Sequence, residues 1–337
     1  MIVEDIAQLA RLFAKGPERA LKEESPTDLV NSFQWCRRHG LGPWFLSFLP
    51  SQQWAPEALR PNVGEFYAKL WLQTQRRLAE MKRVFTAFQA EGLDCLVFKG
   101  ALWSRQFHRT LQARRPGDLD LLVRKQDFRA AMTLLQGLGY TQSGHLIAGL
   151  PAFCFFEHGL DFVGERVAVD LHHNVAVHPT LKLDSEALFE SRVEVEINGT
   201  VYATLSPVRC LQANLLGMIR DAGLSKLRLK QVVDTWAMLD LPSQRLDELL
   251  SLADSDGSLK PCCKALSVCL GLLYDQSLPE RFDILPYRMG RIEATEFLRK
   301  ERWLQNKWWS WCAMEGPVWQ SAAFWLTGLP VRLAAFR

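Results

Sequence analysis

The run DLDLLV, residues 118 to 123 within RRPGDLDLLVRKQDF, sets two aspartates two residues apart at the head of an apolar segment. In an extended strand residues i and i+2 share a face, so Asp118 and Asp120 project together while Leu119 and Leu121 face the opposite way. A chain with such a strand must bury one face and neutralise the other. Two carboxylates that close repel, and each raises the other's pKa. A divalent cation such as Mg²⁺ removes that cost, because hard ions take carboxylate and phosphate oxygens together. The alternative is local: one Asp caps the following turn and the other pairs with Arg114, Arg115 or Arg124.

The chain around this run changes period twice. Residues 1 to about 91 read as helices, with apolar residues at helical spacing in IAQLARLFAK and in EFYAKLWLQTQRRLAEMKRVFTAFQAEG, where Gly92 is placed to stop the second. Residues 92–205 read as an α/β core: LDCLVF, DLDLLV, FCFFEH, RVAVDLHHNV and VEVEING as strands, and DFRAAMTLLQGLGY as a capped helix ending near Gly137 or Gly139. Helical period returns over 206–284, in PVRCLQANLLGMIRDAG and KLRLKQVVDTWAMLD. Residues 285–337 form a separate segment that holds six of the twelve tryptophans, interleaved with Arg and Lys. That mixture suits packing onto the core, a membrane surface, a protein partner or stacked nucleobases.

Two further stretches bear on the aspartates. LVFKG ends a strand at Lys99-Gly100 and opens the helix ALWSRQF, so free N–H groups at a helix start could meet a phosphate. Asp170 lies inside the β-branched run RVAVDLHHNV, a poor guest without a partner. Carboxylates on neighbouring strands behind a Gly-containing strand-to-helix turn are what two-metal phosphoryl transfer uses, with ions about 4 Å apart. On this reading Asp118, Asp120 and Asp170 converge on one face of a mixed sheet, at least one of them has a raised pKa, and Leu119 and Leu121 are buried behind them.

KGALWSRQF, RRPGDLDLLVRKQDF, AAMTLLQGLGY and VAVDLHHNV together resemble the signature of the uncharacterised bacterial nucleotidyltransferase family, a branch of the DNA polymerase β-like superfamily. The likeness extends to WCRRHGLGPWFLSFL and RLKQVVDTWAML. It implies an α+β fold: a polymerase β-like nucleotidyltransferase core with a mixed sheet, flanked by N-terminal and C-terminal helical regions. It further implies an enzyme that moves NMP from an NTP, ATP foremost, to an acceptor hydroxyl with Mg²⁺ and releases pyrophosphate. By the resemblance Asp118, Asp120 and Asp170 are metal ligands and catalytic, Asp170 also helping to deprotonate the acceptor. Lys99, Gly100 and either Arg114 or Arg115 take the phosphates, and His172, on the same strand face as Asp170, joins the nucleotide site. Phe107 and Asn214 depart from the family pattern, where Tyr and His are frequent.

The resemblance leaves the acceptor open, small molecule or protein. One alternative is an antitoxin-like enzyme that modifies a protein hydroxyl; another is a non-catalytic nucleotide-binding scaffold in polysaccharide or peptide biosynthesis. Lys226, Arg228 and Lys230 read as a solvated helix face or the far wall of a nucleotide cleft, Asp234 as a local cap or pair, and His108 as a surface or loop residue. A net charge of +3 gives no nucleic-acid signal, and the eight cysteines lack a C-x-x-C pair, as reduced thiols do. With acids in MIVEDIAQLARLF where a signal peptide carries Lys or Arg, the expected location is the cytoplasm.

Overall fold

The computed structural model describes residues 25–48, 57, 60–115, 117–143, 159–175, 183–223, 228–239 and 244–274. The strand expected at FCFFEH, the helix expected at IAQLARLFAK and the Trp-rich segment 285–337 lie outside the described residues. Two short helices open the described chain, α1 (Pro26–Arg38) and α2 (Gly42–Leu46), followed by the long α3 (Arg60–Ala90). Ser25 caps α1, its hydroxyl oxygen accepting from the Asp28 N–H, and Pro26 sits in the first turn, where a missing N–H costs nothing. Gly92, at φ 64°, terminates α3 as its sequence position implied.

The core follows as β1 (Cys95–Phe98), α4 (Gly100–Phe107), β2 (Leu119–Val123), α5 (Phe128–Gly137), β3 (Thr141–Gln142), β4 (Gly159–Val163) and β5 (Val169–His172). These strands make one mixed five-stranded sheet in the order β1-β2-β5-β4-β3, with β2 and β5 parallel and the other neighbours antiparallel. A short helix α6 (Ser185–Glu190) leads to a separate hairpin, β6 (Val193–Ile197) and β7 (Thr200–Thr204), turning at Asn198-Gly199 with φ 50° and 72°. Two positive φ values in a two-residue loop match the twist of an antiparallel pair, which is why Asn-Gly stands there. Four helices complete the described chain: α7 (Pro207–Gly223), α8 (Leu229–Leu239), α9 (Gln244–Ser255) and α10 (Leu259–Tyr274).

The two faces of the sheet feed two apolar cores, which strand alternation makes inevitable. Cys95, Val97, Leu119, Leu121, Val123, Val169 and Leu171 pack against Leu78, Val84, Phe85 and Phe88 of α3 and Phe128, Ala131 and Leu135 of α5. Leu96, Phe98 and Leu122 point the other way, into a larger core built jointly by α1, α2 and α7–α10. Leu119 and Leu121 are therefore buried opposite Asp120, as the alternation predicts. The helices before and after the sheet share one core, and α3 contributes to both, Val63 to one and Leu78 to Phe88 to the other.

All six described cysteines are buried and none of them is in a disulfide. Burial pushes the Cys269 thiol up to about 12, so these sulfurs behave as small apolar groups. Among the described residues no helix is long and apolar enough to cross a membrane.

Candidate active site

The parallel pairing of β2 with β5 sets Asp120 directly opposite Asp170 and Leu122 opposite His172. Residues opposite one another on neighbouring strands share a face, so the register alone puts both carboxylates and the imidazole on one side of the sheet. One donor atom from each of Asp120, Asp170 and His172 falls within 4.8 Å of the others. His172 Nε2 lies 2.9 Å from Asp170 Oδ2 and 3.4 Å from Asp120 Oδ1, so a proton there is shared by two carboxylates. The ring also meets Phe98 edge-on at 5.1 Å, which fixes its plane. His173 points to the opposite face and packs on Phe128 at 5.4 Å.

Asp118 stands outside this group. β2 begins at Leu119, so strand alternation does not govern the residue before it, and Asp118 is exposed at the mouth of the site. It acts on its neighbours through charge, raising the pKa of Asp161 and interacting favourably with Arg77.

Lys99 supplies the counter-charge. Its Nζ donates to Asp120 Oδ1 at 2.6 Å from the turn between β1 and α4, where Phe98 pairs with Asp120. Burial alone would raise the Asp120 carboxyl, but the Lys99 ammonium and His172 outweigh it and hold it below the usual carboxylate range. His172 shows the mirror effect: burial pushes it down, and Asp170 with Asp120 pulls it above its ordinary value. Lys99 itself sits at φ 58°, ψ −153°, a conformation that strongly favours glycine, and Gly100 follows at φ 45°. The strain places a charged side chain where the turn's backbone would otherwise select Gly.

The expected raised carboxyl appears on a fourth acid. Asp161 on β4 pairs with Asp170 across the sheet, and burial together with Asp170 and Asp118 pushes it up. At Asp120 Lys99 and His172 reverse the rise that burial alone would give. The signal for Asp161 was present in GLDFV, where Leu160 and Phe162 alternate with it. Gly159, at the head of the same strand, was also missed. A Cβ there would stand 2.7 Å from His172 Nδ1 and 3.0 Å from Asp170 Oδ1, so only glycine leaves both side chains where they are.

Arg114 is held away from Asp120. Its Nη2 donates to Asp234 Oδ2 at 2.9 Å, its Nη1 donates to the Gly100 carbonyl at 3.4 Å, and its guanidinium lies 4.9 Å over Trp103. The arginine thus ties the turn at Gly100 to α8. His108 joins it, with Nε2 3.1 Å from Asp234 Oδ1 and both side chains only 3% exposed. His108 is therefore a buried partner rather than the surface or loop residue that its spacing implied, because α4 carries it against α8. Asn214 is buried between α7 and α8, donating to the Gln231 carbonyl and to Thr235 Oγ1. Arg115 is exposed.

The site opens on two adjoining cavities. One is lined by Lys99, Gly100, Asp118, Asp120 and Arg77, the other, of about 690 Å³, by residues of α1, α3, the 108–118 segment and α8. Arg77, Arg114, Arg115 and Asp118 border both.

No curated protein matches the chain. Among solved structures, the chain is similar to the antibiotic-resistance factor ANT(2'')-Ia, at 14% identity and TM-score 0.38 over 54% of this chain and 92% of that one. It is also similar to an antigenic nucleotidyltransferase-like protein from Paracoccidioides brasiliensis, at 16% identity and TM-score 0.32 over 56% and 93%. The family described as uncharacterised nucleotidyltransferase matches residues 25–273, a span that carries the whole sheet, both cavities and every site residue named above. On that match the chain belongs to the uncharacterised nucleotidyltransferase family and is a nucleotidyltransferase, with an NTP as the implied substrate.

Proposed function

We propose that this chain transfers NMP from an NTP, ATP foremost, to the hydroxyl of an acceptor and releases pyrophosphate. The observation that carries the reading is the register of β2 and β5, which sets Asp120 beside Asp170 at the edge of the Lys99-Gly100 turn. The acceptor oxygen forms a bond to the α-phosphorus, the bond from that phosphorus to the bridging oxygen breaks, and pyrophosphate leaves with the electron pair. The hydroxyl proton goes to Asp170, which His172 orients through the 2.9 Å contact.

The donor set fits a divalent cation, since two carboxylate oxygens and an imidazole nitrogen already face a common point. Asp120 and Asp170 would hold Mg²⁺, with Asp118 at the mouth positioned toward a second ion bound to the triphosphate. When bound, the ions neutralise the phosphate oxygens and the leaving group. The chain's own contributions are electrostatic and geometric. Lys99, once released from Asp120, can turn its ammonium to a phosphate oxygen, and the first N–H groups of α4 face the same position. Arg115 and Arg77 add positive charge at the border of the two cavities. The buried, reduced thiols of the described residues support a reducing compartment such as the cytoplasm.

The test is pyrophosphate release on mixing the protein, Mg²⁺ and each NTP with pools of hydroxyl-bearing acceptors, small molecules and proteins alike. Turnover that disappears in Asp120→Asn supports the reading. Binding of Mg²⁺-NTP without turnover toward any acceptor would favour the nucleotide-binding scaffold instead.

A further inference from the structure

The larger cavity is far more basic than a metal-bound triphosphate requires. Arg38, Arg77, Arg115, Arg228 and Lys230 all line it, and none forms an ion pair with another described residue. Among the described residues, the two acids of its lining do not balance them. Asp234 is already neutralised by Arg114 and His108, and Asp118 faces the metal site as well. A triphosphate carrying two divalent ions is close to neutral, so the nucleotide leaves most of this positive charge without a counterpart.

A second observation points the same way. Arg77 Nη1 is buried with no hydrogen-bond partner among the described residues, at the border between the carboxylate site and this cavity. An orphaned guanidinium nitrogen is costly, and an anion in the cavity is the group that would satisfy it. Burial, its largest influence, lowers the pKa of Arg77, and the same holds for Lys230, where Arg114 adds to the effect. Both cations would gain from an anionic ligand.

We infer that the cavity walled by Arg38, Arg77, Arg115, Arg228 and Lys230 is the acceptor site, and that it takes a small molecule bearing a phosphate monoester beside its reacting hydroxyl. This inference rests on the nucleotidyl-transfer reading and names its acceptor class. At about 690 Å³ the cavity suits a compact metabolite, within the usual range for enclosed ligand sites. Residues of α1, α3 and α8 line it together. The monoester is the anion of choice because several guanidinium groups line one cavity, and each can donate two parallel N–H bonds to phosphate oxygens. Arg77 and Asp118 border both cavities, so a ligand with its phosphate at the arginines adjoins the cavity that Asp120 lines. A cationic acceptor would meet repulsion from these five basic side chains.

Arg38 and Arg228 line this cavity and not the carboxylate one, and both are exposed, so their replacement leaves the nucleotide site and the fold in place. The experiment saturates the full chain with Mg²⁺ and α,β-methylene-ATP, then titrates inorganic phosphate by calorimetry. Phosphate should still bind, and Arg38→Gln with Arg228→Gln should weaken it about tenfold or more while nucleotide affinity changes less than about twofold. Arg38→Lys with Arg228→Lys should recover part of the loss. Competition between phosphate and the nucleotide would assign the cavity to the triphosphate and overturn the inference, as would phosphate binding that the Gln pair leaves unchanged. Turnover measurements separate the two readings. Pyrophosphate release with neutral acceptors, unaffected by the Gln pair, keeps nucleotidyl transfer and sinks the phosphate site. Intact phosphate binding with no turnover for any acceptor sinks the transfer reading and the acceptor assignment with it, and leaves a phosphate site.

Discussion

Asp120 on β2 and Asp234 on α8 lie almost buried, each between a basic side chain and an imidazole. Asp120 has Lys99 and His172; Asp234 has Arg114 and His108. In both, burial would raise the carboxyl and its two neighbours more than reverse it. The difference lies in what stands alongside. Asp120 faces Asp170 in register, with Asp161 one strand further on and a glycine turn at the rim. Asp234 has no acid in register, its helix closes over it, and its side chain is only 3% exposed. A buried, doubly paired aspartate is thus equally a brace or a ligand, and the presence of a second carboxylate on an open face separates the two. Position on a strand makes that arrangement available, because parallel register repeats the same face on the neighbouring strand.

The largest separation should appear in turnover. Asp120→Asn is expected to lower pyrophosphate release about a thousandfold or more and to abolish the extra thermal stabilisation that Mg²⁺ and NTP give together. Asp170→Asn should lose turnover comparably while still binding Mg²⁺-NTP, since its charge matters when the hydroxyl proton departs. Asp234→Asn should keep most turnover per folded molecule. If Asp234→Asn and Asp120→Asn lose turnover equally, the two aspartates are not a brace and a ligand.

In stability the order reverses. Asp234→Asn keeps one acceptor oxygen but removes the negative charge and the second oxygen that Arg114 and His108 share, at a cost of about 3 kcal/mol by analogy with broken buried pairs. The pH dependence has a definite sign. Asp234 has a folded pKa below its ordinary value, so its contribution is complete above about pH 4 and is lost as pH falls through the depressed folded value. The gap in chemical denaturation between wild type and Asp234→Asn should therefore be constant from pH 7 to 5 and narrow below about pH 4. A gap that widens on acidification contradicts the pairing.

Gly159 tests how tightly the open site is built. Adding one methyl, Gly159→Ala, forces His172 or Asp170 to move by several tenths of an ångström, and turnover should fall roughly 10- to 100-fold with little change in nucleotide affinity. The matched control is Gly217→Ala on α7, where a Cβ meets nothing closer than 3.9 Å. Equal activity of Gly159→Ala and wild type would show that the glycine is not required by His172 and Asp170.

These comparisons also explain what could be read before the fold was seen. DLDLLV, the turn at Lys99-Gly100 and the shared face of Asp170 and His172 follow from period-two alternation and turn chemistry, which are local. Asp161 obeys the same rule and was legible in GLDFV, yet it lies beside FCFFEH, whose longer apolar run drew the strand assignment. His108, Arg114 and Asp234 could not be joined from sequence, because residues 114 and 234 meet only through the packing of α8 on the core, and no local period encodes that contact. Arg77 is similar: it is one charge among several on α3, and only the sheet's position turns it toward the cavity. The adjacency of β2 and β5 sits between these cases. Strand type was readable from each segment, but the one-to-one facing of Asp120 and Asp170 depends on register, which a shift of one residue would destroy.

The smallest expected effect isolates the strained turn from the charge that it carries. Lys99 holds φ 58° and ψ −153°, where a Cβ is crowded, and the cost for a non-glycine residue there is about 1–3 kcal/mol. Lys99→Ala removes the ammonium and keeps the Cβ; Lys99→Gly removes both. Each leaves Asp120 without its 2.6 Å partner, so the two variants should share the same loss of charge pairing. Their difference then reports the backbone alone. Lys99→Gly should be more stable than Lys99→Ala by roughly 1 kcal/mol, although Gly adds chain entropy to the unfolded state that works against it. Repeating the pair in an Asp120→Asn background should leave that difference unchanged, because backbone strain does not depend on the carboxylate. A difference that vanishes with Asp120 would mean that the ion pair, rather than the local chain geometry, sets the conformation of the turn.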